Sequence, residues 1–204
     1  MTTLLLALTS PTEASDLTVG ALLEHMQRPA PDAVSFVEVR YTKMLRKPRV
    51  VSGLLERQAD GSLVRRVNDP YQETTTVHGP DVQIARDGRV RKFSLAQAPA
   101  LQGLMGSIDA VLGGNAAALE SNFETRVEGS LEGWHLALEP RAGKVRSYVS
   151  SVEIDGHAAG PRCFTINEPD GDAGIIAIGA KGPGELPFAQ RGDMARWCRS
   201  TQPR

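Results

Sequence analysis

Charge is distributed unevenly along this chain. Between Lys92 and Glu120 the only charged residue is Asp109, whereas charged residues make up 23% of the whole sequence. Within that stretch Leu95, Leu101, Leu104, Met105, Ile108, Val111 and Leu112 recur at helical spacing, interrupted by Gly103 and Gly106 and ended by Gly113-Gly114. A surface helix needs a polar face, and this one has almost none. Both of its sides must therefore meet apolar material. Either it is enclosed in a core, or one side faces a core and the other a hydrophobic ligand or partner.

Elsewhere the pattern is that of strands. Leu17 to Gln27 forms a short amphipathic helix through Leu17, Ala21, Leu22 and Met26, stopped by Pro29 and Pro31. Alternating or β-branched runs follow at Val34 to Lys43, Arg49 to Gln58, Ser62 to Val67, Tyr71 to His78, Asp81 to Ala85 and Arg89 to Phe93. Asp60-Gly61, Gly79-Pro80 and Asp87-Gly88 mark turns among them. Beyond the charge-poor segment, Asn115 caps a brief helix through Leu119. Strands then resume at Phe123 to Glu128, Leu131 to Glu139, Val145 to Ile154, Cys163 to Glu168 and Ile175 to Ile178, with turns expected at Asp155-Gly156 and Asp170-Gly171. None of the connections among the first six strands contains a crossover helix, so they pair antiparallel. The expected fold is α+β: an incomplete antiparallel β-barrel of about eleven strands, covered by short helices on its concave face.

Composition narrows the function. The chain's 204 residues suit one domain, and a net charge of −1 leaves no electrostatic footprint for nucleic acid. Arg40, Lys43, Arg46, Lys47 and Arg49 do cluster, which reads as ordinary loop solvation or, alternatively, as a phosphate-facing rim. Leu4 to Leu8 followed by Ala14-Ser15 resembles the back half of a secretory signal peptide, although no Lys or Arg precedes the leucines. Residues 1–15 are therefore expected to be a signal-peptide remnant, 16–180 the folded domain, and 181–204 a Gly/Pro-rich linker and tail. Cys163 and Cys198 are compatible with one disulfide in an oxidising compartment, or with two separate thiols.

Catalytic chemistry has no anchor in the sequence. His25, His78, His135 and His157 show no spacing that lets two of them share a metal, and neither cysteine sits in a zinc signature. Gly103-Leu104-Met105-Gly106-Ser107 has Met where a nucleophile elbow needs Ser. Glu38, Glu56 and Glu73 lie on different strands, and an enzymatic reading is favoured only if Glu38, Glu73 or His78 converge. A charge-poor helix against a curved sheet is, by contrast, what a lipid container needs. Withdrawing a sixteen-carbon acyl chain from a membrane costs roughly 12 kcal/mol at about 0.8 kcal/mol per CH₂, which an apolar lining has to return.

Several motifs point to a family. Phe36-x-Glu38-x-Arg40-Tyr41, Pro48, Ser52-Gly53-x-Leu55, Leu63-x-Arg65-Arg66, Asp69-Pro70-x-x-Glu73, Gly79-x-Asp81-Val82 and Trp134-x-Leu136-x-Leu138-x-Pro140 follow one another in order. Together they resemble the LolA-like periplasmic outer-membrane lipoprotein carriers, in the branch associated with aryl-polyene and fatty-acid-type gene clusters, from about Asp16 to Ile178. The resemblance implies a monomeric periplasmic carrier with no cofactor and no metal. It would hold the acyl chains of a lipoprotein or other lipid, received from an inner-membrane extractor and passed to an outer-membrane receptor. Candidate lining residues are Phe36, Val51, Leu54, Tyr71, Ile84, Phe93, Leu101, Leu104, Met105, Ile108, Trp134, Leu136 and Ile154. In the family an arginine stands immediately before the proline of the strand matching Leu63 to Glu73 and ties lid helices to the sheet. Here Asp69 precedes Pro70, leaving Arg65 and Arg66 as substitutes if their side chains point inward. The competing reading is a periplasmic scaffold of a lipid or pigment biosynthesis system that docks a partner through Arg40 to Arg49 and the tail, with no lipid cargo.

Overall fold

A computed structural model describes residues 17–27, 29–97, 111, 115–141 and 143–200. Eleven strands form one antiparallel sheet in the order β6-β5-β4-β3-β2-β1-β11-β10-β9-β8-β7. They are β1 (Asp32–Tyr41), β2 (Arg49–Arg57), β3 (Leu63–Asp69), β4 (Glu73–His78), β5 (Asp81–Arg86), β6 (Arg89–Ser94), β7 (Phe123–Ser130), β8 (Gly133–Pro140), β9 (Ser151–His157), β10 (Gly160–Asn167) and β11 (Ala173–Ile178). Strands consecutive in sequence are neighbours in space except β6 and β7, and at the centre β1 pairs with β11 and joins two meanders. The sheet is open, since β6 and β7 stand at its two edges. Among the described residues, three helices with defined bounds accompany it: α1 (Val19–Met26), α2 (Ala116–Asn122) and α3 (Arg191–Arg199).

Residues directly opposite in an antiparallel pair point to the same side, so the register assigns each side chain to a face. One face carries Trp134, Leu136 and Leu138 of β8, Val152 and Ile154 of β9, and Phe164 and Ile166 of β10. It continues through Ile176 and Ile178 of β11 to Phe36 and Glu38 of β1, and then to Val51 of β2. Helices α1 and α2 cover its β7–β10 half. Leu22, Leu23, Met26 and Leu119 are buried there against Phe123, Trp134, Leu136, Leu138, Val152 and Ile154. The Thr18 hydroxyl accepts from the Ala21 N–H and caps α1, and the His25 ring is 2.9 Å from the Ala158 carbonyl, fixing the helix to the β9–β10 turn.

The opposite face is closed too, and by a segment expected to be a linker and tail. Ala180, Leu186, Met194 and Cys198 are buried against Val37, Val39, Ile175 and Ala177 of the central strands. Cys198 of α3 is disulfide-bonded to Cys163 of β10, 35 residues away. The Tyr41 hydroxyl donates to the Phe188 carbonyl at 2.9 Å, and burial pushes its pKa up to about 12. Arg199 reaches Glu153 at 3.4 Å and Asp155 at 3.8 Å on β9. Residues 181–200 thus complete the fold rather than hanging from it.

Two local expectations differ. Asp155-Gly156 is not a turn: β9 runs through to His157, because the Trp134 ring lies flat on Gly156, where a Cβ would come within 2.1 Å of it. Val145 to Ile154 is not one strand, since Lys144–Ser147 forms a 3-10 turn before β9 begins. The signal-like residues 1–15 lie outside the described residues, as do Leu101, Leu104, Met105 and Ile108. Val111, at the end of the charge-poor segment, is helical and buried in the α1–α2 cluster. Among the described residues no helix is long and apolar enough to cross a membrane.

Candidate functional site

The helix-covered face divides at the middle of the sheet. On β7–β9 its apolar side chains are sealed by α1 and α2. On the central strands the cover thins: Phe164 and Ile166 of β10 pack on the edge of that cluster but stay half-buried, as do Ile176 and Ile178 of β11, Val34 of β1 and Leu55 of β2 on this same side. Immediately behind them, on the opposite face of the same strands, Val37, Val39, Ile175 and Ala177 are fully buried. The side protected in an ordinary one-sided sheet and the side left open have been exchanged by the C-terminal segment.

Charge enters this face from β1 outward. Arg65 donates to Glu38 at 2.5 Å and lies 3.5 Å from Glu73, and Arg86 lies 3.7 Å from the other oxygen of Glu73. The register puts Glu38, Arg65, Glu73 and Arg86 on one side of β1, β3, β4 and β5, a row of alternating sign. Two rings are stacked into the row. The Arg65 guanidinium sits 5.1 Å from the centroid of Phe36, and that of Arg86 sits 4.0 Å from Tyr71. Phe36, Val51 and Val67 form a small buried cluster beneath it, with Leu55, Tyr71 and Ile176 against its edge. Gly53 opposes Phe36 at a register irregularity between β2 and β3, where a Cβ would stand 1.7 Å from the Arg66 carbonyl oxygen. Only glycine allows that approach.

The expected lining residues are placed as follows. Phe36, Val51, Ile84, Phe93, Trp134, Leu136 and Ile154 share the helix-covered face by register, and Tyr71, between β3 and β4, packs on the Phe36 cluster. Leu54 departs from the expectation. It pairs with Ser35 and Arg66 on the opposite side and is 36% exposed. Of the residues expected to contact a lid, Arg65 points to the apolar face, Arg66 points away and bonds Glu56 at 3.0 Å, and Asp69 is exposed at the end of β3 opposite Ser52. Glu38 and Glu73 do approach one another, but Arg65 stands between them, and His78 is exposed on the other face.

Phe164, Ile166, Ile176, Ile178 and Leu55 were not among the candidates. β11 is a continuous apolar run that gives no sign of which residues share a face, and nothing in sequence marks β10 and β11 as central until β1 is known to pair with β11. A surface cavity of about 360 Å³ lies at the β3–β6 side, lined by polar groups including Arg66, Asn68, Gln72, Glu73, Arg86 and Arg89.

An open, helix-capped antiparallel sheet of eleven strands, apolar on both faces and left half-buried along the middle of one, defines the class of fold. The chain belongs to the outer membrane lipoprotein carrier protein LolA-like family, whose model matches residues 10–182. No curated protein is detectably similar in sequence. Among solved structures, it is similar to a LolA superfamily protein from Nitrosomonas europaea at 10% identity and a TM-score of 0.44, covering 86% of this chain and 99% of that one. The lipoprotein LppX from Mycobacterium tuberculosis is similar at 9% identity and a TM-score of 0.41, covering 78% and 92%. The MucA/MucB complex of Pseudomonas aeruginosa matches at 12% identity and a TM-score of 0.38, over 86% of this chain and 62% of that one.

Proposed function

We propose that this protein is a periplasmic carrier that binds the acyl chains of a lipoprotein or other lipid against its helix-covered face and conveys them toward the outer membrane. The observation that carries the reading is the half-buried hydrocarbon of Phe164, Ile166, Ile176, Ile178 and Leu55 on the middle strands of the sheet, backed by a fully buried opposite face. Apolar burial there needs no precisely oriented partner, which suits a flexible chain of methylenes. Membership of the LolA-like family supports the same reading, and the Cys163–Cys198 disulfide suits an oxidising compartment. The residues of the charge-poor segment, Leu101, Leu104, Met105 and Ile108, are assigned to the other wall. The carrier receives its cargo from an inner-membrane extractor and yields it to an outer-membrane receptor, without a covalent step.

Substitution of Ile176→Asp, or of Met105→Glu, abolishes uptake of a fluorescent fatty acid while the β-rich circular dichroism spectrum persists. Uptake unchanged in both variants contradicts the reading. A scaffold without cargo is distinguished by native mass spectrometry of protein isolated from its own host, in which a carrier retains lipid.

A further inference from the structure

Among the described residues, four of the five large apolar side chains that are strongly exposed leave the sheet at the same end. Met44 (94% exposed) and Leu45 (46%) are in the β1–β2 loop, Val90 (56%) begins β6 after the β5–β6 turn, and Tyr148 (60%) is in the β8–β9 connection. In this antiparallel order those connections, together with β3–β4 and β10–β11, all emerge on one side, and the fifth residue, Leu54, is in mid-strand. Burying such groups is favourable, and the adjacent pair Met44 and Leu45 is the one place where two of them project side by side.

The loop that projects Met44 and Leu45 is also cationic. Lys43, Arg46, Lys47 and Arg49 flank them, all exposed. Acidic groups stand nearby on the β10–β11 hairpin, where carboxylate oxygens of Glu168, Asp170 and Asp172 lie within 4.8 Å of one another. They are faced by cations of their own. Arg40 bonds Glu168, Arg191 donates to the Gly171 carbonyl, and the Lys43 ammonium lies 3.1 Å from where a Cβ on Gly171 would stand. Asp172 also accepts the Lys43 N–H at 2.9 Å, which anchors the base of the loop. Among the described residues no ion pair engages Arg46, Lys47 or Arg49; Arg89 stands beside Val90, where Arg86 is paired with Glu73 and Asp87.

We infer that this end of the sheet docks on the surface of an anionic phospholipid bilayer, with Met44 and Leu45 entering the headgroup region and Arg46, Lys47 and Arg49 held at the phosphates. Apolar tips flanked by exposed cations on one loop match the two sources of interfacial affinity, buried hydrocarbon and attraction to anionic lipid. The inference goes beyond the proposed carriage of lipid and does not depend on what the helix-covered face holds.

Co-sedimentation of the full chain with phosphatidylglycerol–phosphatidylcholine vesicles, compared with pure phosphatidylcholine vesicles, tests it. Binding to the anionic vesicles, weakened by salt, is expected. The combined change of Arg46→Gln, Lys47→Gln and Arg49→Gln lowers affinity about a hundredfold, at about 1 kcal/mol per cation near the surface. Met44→Ser with Leu45→Ser lowers it about tenfold or more, while Leu54→Ser leaves it unchanged. These loop variants take up a fluorescent fatty acid as the parent does, so loss of docking is told apart from loss of carriage. Absence of vesicle binding, equal binding to neutral vesicles, or loop variants that bind as the parent does would each overturn the inference. A protein captured through this loop in place of vesicles would overturn it as well.

Discussion

The two halves of the helix-covered face use similar strands to opposite ends. On β7–β9, Trp134, Leu136, Leu138, Val152 and Ile154 are buried under α1 and α2, and the register puts no charged residue of these strands on that side. On β1 to β5 the same face carries Glu38, Arg65, Glu73 and Arg86, and its apolar groups are a small cluster around Phe36 with partly open edges. The difference teaches that the fold's stability and its binding surface are spatially separated. One half is a core in the usual sense, and the middle strands between the halves keep hydrocarbon available.

That contrast is broken most severely by truncation in the closed half. Leu136→Ala is expected to cost about 2–5 kcal/mol, since the residue is fully buried and its neighbours are held by strand pairing. Leu55→Ala, on the half-buried stripe, costs about 1 kcal/mol or less by the same scaling with burial. Urea unfolding of both variants checks the ordering, and equal losses would mean that the face is one uniform core. Next in size is the staple behind the central strands. Cys163→Ser with Cys198→Ser removes a closure of 35 residues and lowers stability by roughly 3 to 4 kcal/mol, read as a fall in urea midpoint that reductant reproduces in the parent.

A smaller effect belongs to the charged half. Arg65→Met strips Glu38 and Glu73 of their shared partner, and because all three are about a quarter exposed or less, the loss is about 1 kcal/mol. A cycle with Glu38→Gln isolates the pair, and zero coupling would show that the row of charges is decorative. The smallest effect is a pH dependence on the outer face. The His135 ring bonds Asp155 at 2.8 Å, and that hydrogen bond is the main cause of a pKa raised above 6.5. A raised value means that the folded state binds the proton more tightly. The contribution is therefore complete below 6.5 and fades as pH rises through the folded value. The stability difference between the parent and His135→Gln should shrink from mildly acid to mildly alkaline solution, and a difference that grows would reverse the assignment.

Much of this architecture was legible because the chain punctuates itself. Asp60-Gly61, Asp87-Gly88 and Asp170-Gly171 are turns as their chemistry requires, and alternation between them gives the strands to within a few residues. The failures have local causes. Asp155-Gly156 imitates a turn, but its glycine is there to accept an indole from the neighbouring strand. Val50, Val51, Leu54 and Leu55 place two apolar residues on each face of β2, so alternation did not reveal that Leu54 faces outward. The C-terminal segment looked like a linker because its glycines and prolines outnumber its anchors. Only Met194 and Cys198 of α3 are buried, and the partner of Cys198 lies on a distant strand. Arg65 and Arg66 are adjacent in sequence and opposite in role, a distinction that register alone determines.

Photo-crosslinking tests the central claim most directly. A diazirine-bearing fatty acid bound to the intact protein, irradiated and mapped by peptide mass spectrometry, should mark β10, β11 and β2 at Phe164, Ile176, Ile178 or Leu55. Labelling confined to the outer face around Leu54, or spread evenly over the surface, would contradict a hydrocarbon site on the helix-covered face.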